Sequence, residues 1–145
     1  MSLEDKAITA LQALAAIPQY EYLQPELDCA VRALQEKQKQ DNLAPRCIAV
    51  DFDGTLCVDA YPDIGAPRQN VIQRAKQARE DGVELVLWTC REGQLLADAL
   101  KACAEWGLEF DAVNDNPPRR VAFYGTNPRK VGADEYWDDH AVDVR

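Results

Sequence analysis

The apolar run Cys47-Ile48-Ala49-Val50 passes without a break into Asp51-Phe52-Asp53-Gly54-Thr55-Leu56, and this junction constrains the fold more than any other part of the chain. Such a run reads as a strand buried on both faces of a parallel sheet, closed by a tight turn at Gly54. Two carboxylates one residue apart at the end of a buried strand are costly unless they bind a cation or share a proton. In open α/β sheets, the carboxyl end of the strands is also the edge that carries ligands.

The pattern downstream alternates. Strands are expected over 47–52, 83–89, 110–113 and 134–137, and helices over 68–81 and 93–106. In the first helix Val71, Ile72, Ala75 and Ala78 recur at helical spacing, and in the second Leu95, Leu96, Leu100 and Cys103 do. Gly82 and Gly107 end these helices. Residues 121–124 read as a short strand or an irregular piece. The alternation predicts an α/β fold, a three-layer Rossmann-like parallel sheet with right-handed crossovers. In such a sheet every strand ends on the same edge, so Asp51, Thr89, Asp138 and Asp139 are expected to meet there although they are distant in the chain.

Two helical patterns precede the first strand. Leu3, Ala7, Ile8, Leu11, Leu14 and Ala15 share a face that Pro18 stops. Pro25 suits the first turn of the second helix, whose apolar face is Leu27, Ala30, Val31 and Leu34. The polar tail over 35–40 reads as a fraying linker. The expected division is an N-terminal helical extension, 1–45, and a catalytic domain, 46–145, with the helices docked on the domain, covering its mouth or pairing between subunits.

Composition narrows the partners. A chain of 145 residues with 47% hydrophobic residues is globular. A net charge of -9 with no basic run opposes binding to an extended nucleic acid. No apolar stretch approaches the roughly 20 residues of a membrane span, and no secretory leader is visible, so no membrane partner is expected. Cys29, Cys47, Cys57, Cys90 and Cys103 form no close pair and read as small thiols of a reducing, cytoplasmic setting.

The residue types at the expected edge point to phosphoryl chemistry. An ionised Asp51 can attack phosphorus. A carboxylate beside a phosphate needs a neutralising charge, for which Mg²⁺ is the natural hard cation, and Asp138 and Asp139 supply its second acidic wall. Asp53 can protonate the leaving oxygen and then activate water. Thr89 offers a hydroxyl and nearby N–H groups, and Lys130 a cation for nucleophile and phosphate. Cys90 and Arg91 follow Thr89 on the phosphate-facing turn. Cys90 reads also as a packed thiol, and Arg91 as a ligand for the phosphate or as half of a surface salt bridge. His140, the one histidine, has no part in this scheme. Asn114 and Asn116 read as turn residues, and Tyr61 and Asp63 as flap residues near the substrate.

Four stretches in order resemble the haloacid dehalogenase-like (HAD) superfamily of phosphohydrolases. Asp51-x-Asp53-x-Thr55 is similar to its first motif, Leu87-Trp88-Thr89 to its second, Lys130 to its third, and Tyr136-Trp137-Asp138-Asp139 to its fourth. The resemblance covers about residues 46–140. It implies an aspartyl-phosphate on Asp51, an acid/base role for Asp53, phosphoryl binding by Thr89 and Lys130, and Mg²⁺ held by Asp51, the backbone carbonyl of Asp53 and Asp139, with Asp138 direct or through water. Residues 57–67 hold only a flap-sized hairpin, and 114–127 are too short for a cap domain, so the chain resembles a capless member. It is more distantly similar to deoxyribonucleotidases. The expected substrate is a phosphorylated small molecule. The open site would be shielded by a large substrate, by a second subunit of a homo-oligomer or by the leading helices. The alternatives are a nucleotidase and a non-catalytic phosphate- or metal-binding regulatory module on the same fold.

Overall fold

Four parallel strands form one sheet in the order β3-β2-β1-β4, with β1 at Cys47–Val50, β2 at Glu84–Leu87, β3 at Ala112–Val113 and β4 at Glu135–Trp137. The computed structural model describes residues 1–144, apart from the side chain of Gln40, so the last residue of the expected catalytic domain lies outside the described residues. The chain comprises two compact units, Met1–Ala44 and Pro45–Arg145.

The first unit is a pair of helices, α1 at Leu3–Ala15 and α2 at Gln24–Asp41, joined by a 3₁₀ turn at Pro18–Leu23. Ser2 and Asp5 cap α1 reciprocally. The Asp5 N–H donates to the Ser2 hydroxyl at 3.0 Å, and the Ser2 N–H to the Asp5 carboxylate at 2.7 Å. The polar tail of α2 is not the fraying linker expected. It stays helical to Asp41, because Lys37 pairs with Glu4 at 3.5 Å and Gln38 donates to Asp5 at 2.8 Å. Leu27 is the one core residue of this unit among the described residues.

In the second unit the alternation holds. α3 at Gln69–Glu80 and α4 at Gly93–Glu105 bury Ile72 and Ala75, and Ala99, Ala102 and Cys103, against Ile48, Val50, Leu85 and Leu87 of the sheet. Phe52 stacks on Trp106 at 5.9 Å with the rings nearly parallel. The opposite pleat carries Cys47, Ala49 and Val86 beneath Val131. The result is an α/β, Rossmann-like three-layer fold built on a parallel sheet flanked by helices. Leu85 is fully buried, so Leu85→Ala is expected to cost about 2–5 kcal/mol, read as a lower urea midpoint at unchanged m-value.

Two differences from the sequence reading have local causes. Residues 121–124 are not a strand. They belong to a short helix, α5 at Pro118–Tyr124, begun by Pro118 in its first turn and ended by Gly125 at φ 70°. The strands are also shorter than expected, yet their hydrogen bonding runs past their ends. The Asp51 N–H donates to Trp137 O, Trp88 N–H to Val50 O and Asn114 N–H to Leu87 O, all at 2.8–2.9 Å. These bonds carry the chain at the carboxyl rim onward in register. At the amino rim, Asp111 and Asp134 accept the N–H groups of Leu85 and Cys47 and pair with Arg79 and Arg120, anchoring the strand starts. Among the described residues, no helix is long and apolar enough to cross a membrane.

Candidate active site

Asp51 leaves β1 half-buried, and the chain turns at once. The N–H groups of Thr55, Leu56 and Cys57 all point to Phe52 O at 3.0–3.3 Å, a fold-back that needs Gly54 at φ 82°. The turn is tied across the rim to the end of β4, where the Thr55 hydroxyl accepts the Asp139 N–H at 3.0 Å. Asp139 also lies directly over Gly54, and a Cβ there would stand 2.6 Å from its Cγ. The missing side chain is therefore what lets the fourth loop close on the first.

This closure gathers the acids. One carboxylate oxygen from each of Asp51, Asp138 and Asp139 lies within 4.8 Å of the others, and Asp138 and Asp139 are exposed. Burial pushes Asp51 up to about 6, opposed by a hydrogen bond from the Phe52 backbone and reinforced by the negative charges of Asp138, Asp139 and Asp53. Three hard oxygen donors at this spacing, one of them half-buried and crowded by like charge, could hold a metal cation.

Beside the acids is a cavity of about 380 Å³ lined by Asp51, Trp88, Thr89, Cys90, Asn114 and Asp138. Thr89 is braced from two sides. Its N–H donates to the Asn114 carboxamide at 2.8 Å, and its hydroxyl oxygen accepts the Arg91 N–H at 3.1 Å. The Thr89 hydroxyl proton is thus free to point at an anion in the cavity. Asn114 sits at φ 51°, a left-handed conformation that asparagine tolerates. Its position one residue beyond a strand end was the one sequence signal of this role. Cys90 is an exposed, free thiol on the cavity wall.

The remaining expected site residues are placed otherwise. Lys130 is exposed, with its ammonium 5.8 Å from the centre of the Tyr136 ring, and among the described residues no ion pair joins it to Asp51. The cause is the loop that carries it. Asn116 donates to Asn127 and Pro128 and accepts the Gly132 N–H, while the Tyr136 hydroxyl donates to Val131 O, so residues 127–132 are tied to Asn116 and Tyr136. Arg91 is not among the residues lining the cavity, and its ion pair is buried rather than on the surface. It is 1% exposed and gives two hydrogen bonds to Asp53, at 2.7 and 2.8 Å. That contact holds its guanidinium above the usual arginine range. Asp53 therefore faces Arg91, and Asp51, Asp138 and Asp139 form the cluster without its side chain. His140 is exposed, and its backbone N–H donates to Asp138 at 2.8 Å, which steadies that carboxylate.

No protein-family model and no curated protein matches the chain. Among solved structures, it is similar to a conserved protein coded by a locus from Bacteroides thetaiotaomicron, with 38% sequence identity and a TM-score of 0.60 over 68% of this chain and 78% of that one. At that identity and coverage, the chain belongs to the same family as this conserved Bacteroides thetaiotaomicron protein.

Proposed function

We propose that the chain is a Mg²⁺-dependent phosphohydrolase of the HAD-like class that cleaves a phosphate monoester through an aspartyl-phosphate on Asp51. The observation that carries this reading is the convergence of Asp51, Asp138 and Asp139 at the mouth of a cavity braced around Thr89. Asp51, Asp138 and Asp139, with the backbone carbonyl of Asp53, would hold Mg²⁺. When bound, the ion supplies the positive charge that lets a carboxylate and a phosphate approach each other. That need is acute here, because among the described residues no basic side chain lines the cavity.

The chain's own groups then divide the work. The Asp51 carboxylate forms a bond to phosphorus as the bond from phosphorus to the ester oxygen breaks, and the departing oxygen takes the proton that Asp53 carries in its acid form. Water next attacks phosphorus and gives its proton to Asp53, and Asp51 leaves as the free carboxylate with inorganic phosphate released. The Thr89 hydroxyl donates to a phosphoryl oxygen in both steps. Lys130, turned toward Tyr136, is given no part.

A cavity of about 380 Å³ has room for a small phosphoester, and the Trp88 ring on its wall favours, as a second reading, a nucleoside monophosphate. The described thiols, none in a disulfide, accord with a reducing cytoplasm. A panel of phosphate monoesters, nucleoside monophosphates among them, tests the proposal. Turnover is expected with Mg²⁺ and is expected to fall by about 10³-fold or more in EDTA. Tight Mg²⁺ binding by calorimetry with no ester hydrolysed would replace the enzyme by a metal-binding regulatory module.

A further inference from the structure

Arg91 is the largest fully buried side chain of the described residues, and it reaches three parts of the molecule. Its Nε and Nη2 donate to the two oxygens of Asp53 at 2.8 and 2.7 Å. Its Nη1 donates to Pro62 O at 2.9 Å and its Nη2 to Asp63 O at 2.7 Å, both in the flap. Its backbone N–H braces the Thr89 hydroxyl. Phe52 lies under the guanidinium at 5.0 Å, and Tyr61 of the flap covers it at 5.3 Å. The flap's other ties lie at its base, from the Cys57 N–H and thiol to Phe52 O, the Val58 N–H to Ala66 O and the Arg68 N–H to Leu56 O, or within it, from the Tyr61 N–H to the Asp59 carboxylate.

A buried ion pair is a poor device for stability, since desolvation offsets the attraction. Fixing geometry is what the planar, bidentate guanidinium does well. We propose that Arg91 is a positioning residue that locks the Asp53 carboxylate and the 57–67 flap into one unit, so that the proton-transfer group and the flap move together. Each Asp53 oxygen spends one lone pair on Arg91 and keeps another for the proton it passes to or takes from the reacting oxygen. A substrate that shifts the flap must then shift Asp53 with it, which ties proton transfer to how the substrate seats. This inference rests on the phosphohydrolase reading for the role of Asp53, while the clamp on the flap stands independently of it.

The test is Arg91→Lys, which keeps the charge but cannot make the paired contact. It is compared with wild type on p-nitrophenyl phosphate, whose leaving group departs without a proton, and on a simple alkyl phosphate, whose leaving group needs one. The kcat/KM for the alkyl ester is expected to fall at least about tenfold further than that for the nitrophenyl ester. Amide exchange over 57–67 is expected to accelerate by about tenfold in the same protein. Equal losses on both esters, or no loss, would overturn the positioning role, and unchanged exchange would overturn the clamp. If wild type with Mg²⁺ hydrolyses neither ester, the phosphohydrolase reading fails and the proton-transfer half fails with it, while exchange still decides the clamp. Should Arg91→Lys not fold, Tyr61→Leu serves. It is an exposed position that removes the ring covering Arg91, expected to move both readouts the same way by about twofold to threefold, and no movement there overturns the proposal.

Discussion

Asp51→Asn is expected to abolish Mg²⁺-dependent phosphoester turnover and, at the same time, to make the metal-free protein more stable above pH 6. Activity should fall at least about 10³-fold, because an amide oxygen is a far weaker nucleophile and metal ligand than a carboxylate. The stability gain has the opposite sign for an electrostatic reason. Burial and three neighbouring carboxylates raise Asp51 from its ordinary 3.8 to about 6 in the folded protein. Between those values the folded chain binds more protons than the unfolded one, so stability falls as pH rises through that window and stays low above it. Two units correspond to about 3 kcal/mol at most, and solvent screening at a half-buried rim reduces that to about 1–2 kcal/mol. Asparagine removes the charge and with it this loss. Thermal scans in EDTA at pH 4.5 and pH 8 check it: wild type should lose stability between the two relative to Asp51→Asn, and Mg²⁺ should restore wild type only. A variant that is active, or less stable than wild type at pH 8 in EDTA, would mean that Asp51 is neither nucleophile nor crowded charge.

The second large effect is expected from Gly54→Ala. The backbone there is at φ 82°, where an alanine costs about 1–2 kcal/mol by itself. The added Cβ would also drive into the Asp139 carboxylate, which the Thr55 hydroxyl holds through its own N–H. The fourth loop must then retreat from the first, so the acidic cluster opens. Stability should fall by about 3 kcal/mol or more, and Mg²⁺ affinity by at least about tenfold. Gly82→Ala is the control. It has nearly the same φ, 83°, with nothing within 4 Å of the new Cβ, so it carries the backbone strain without the collision. Urea unfolding and Mg²⁺ calorimetry of the pair separate the two causes. Equal costs and unchanged metal binding in both would show that the closeness of Asp139 to Gly54 has no bearing on the site.

Much of this was legible beforehand, and the legible parts share a cause. The apolar period of β1, β2, α3 and α4 depends on which residues are buried, and burial repeats along a strand or helix. Parallel strands then place Asp51, Thr89, Asp138 and Asp139 on one rim whatever the loops do, and that gathering holds. Residues 121–124 read as a short strand or an irregular piece because a seven-residue helix leaves too short a repeat, although Pro118 and Gly125 mark its two ends. The α2 tail was misread because its stabilising partners, Glu4 and Asp5, lie a whole helix away.

What the chain by itself determined is therefore the layer order, the rim and the acids on it, since each follows from local patterns of burial and from the single direction of the strands. Only the tertiary structure decided who pairs with whom there: Arg91 with Asp53 and the flap, Asn114 with Thr89, Asp139 over Gly54, and Lys130 turned toward Tyr136. Those contacts join aperiodic loops, and a shift of an ångström or two in a loop's path exchanges one partner for another with no change in the pattern of residues.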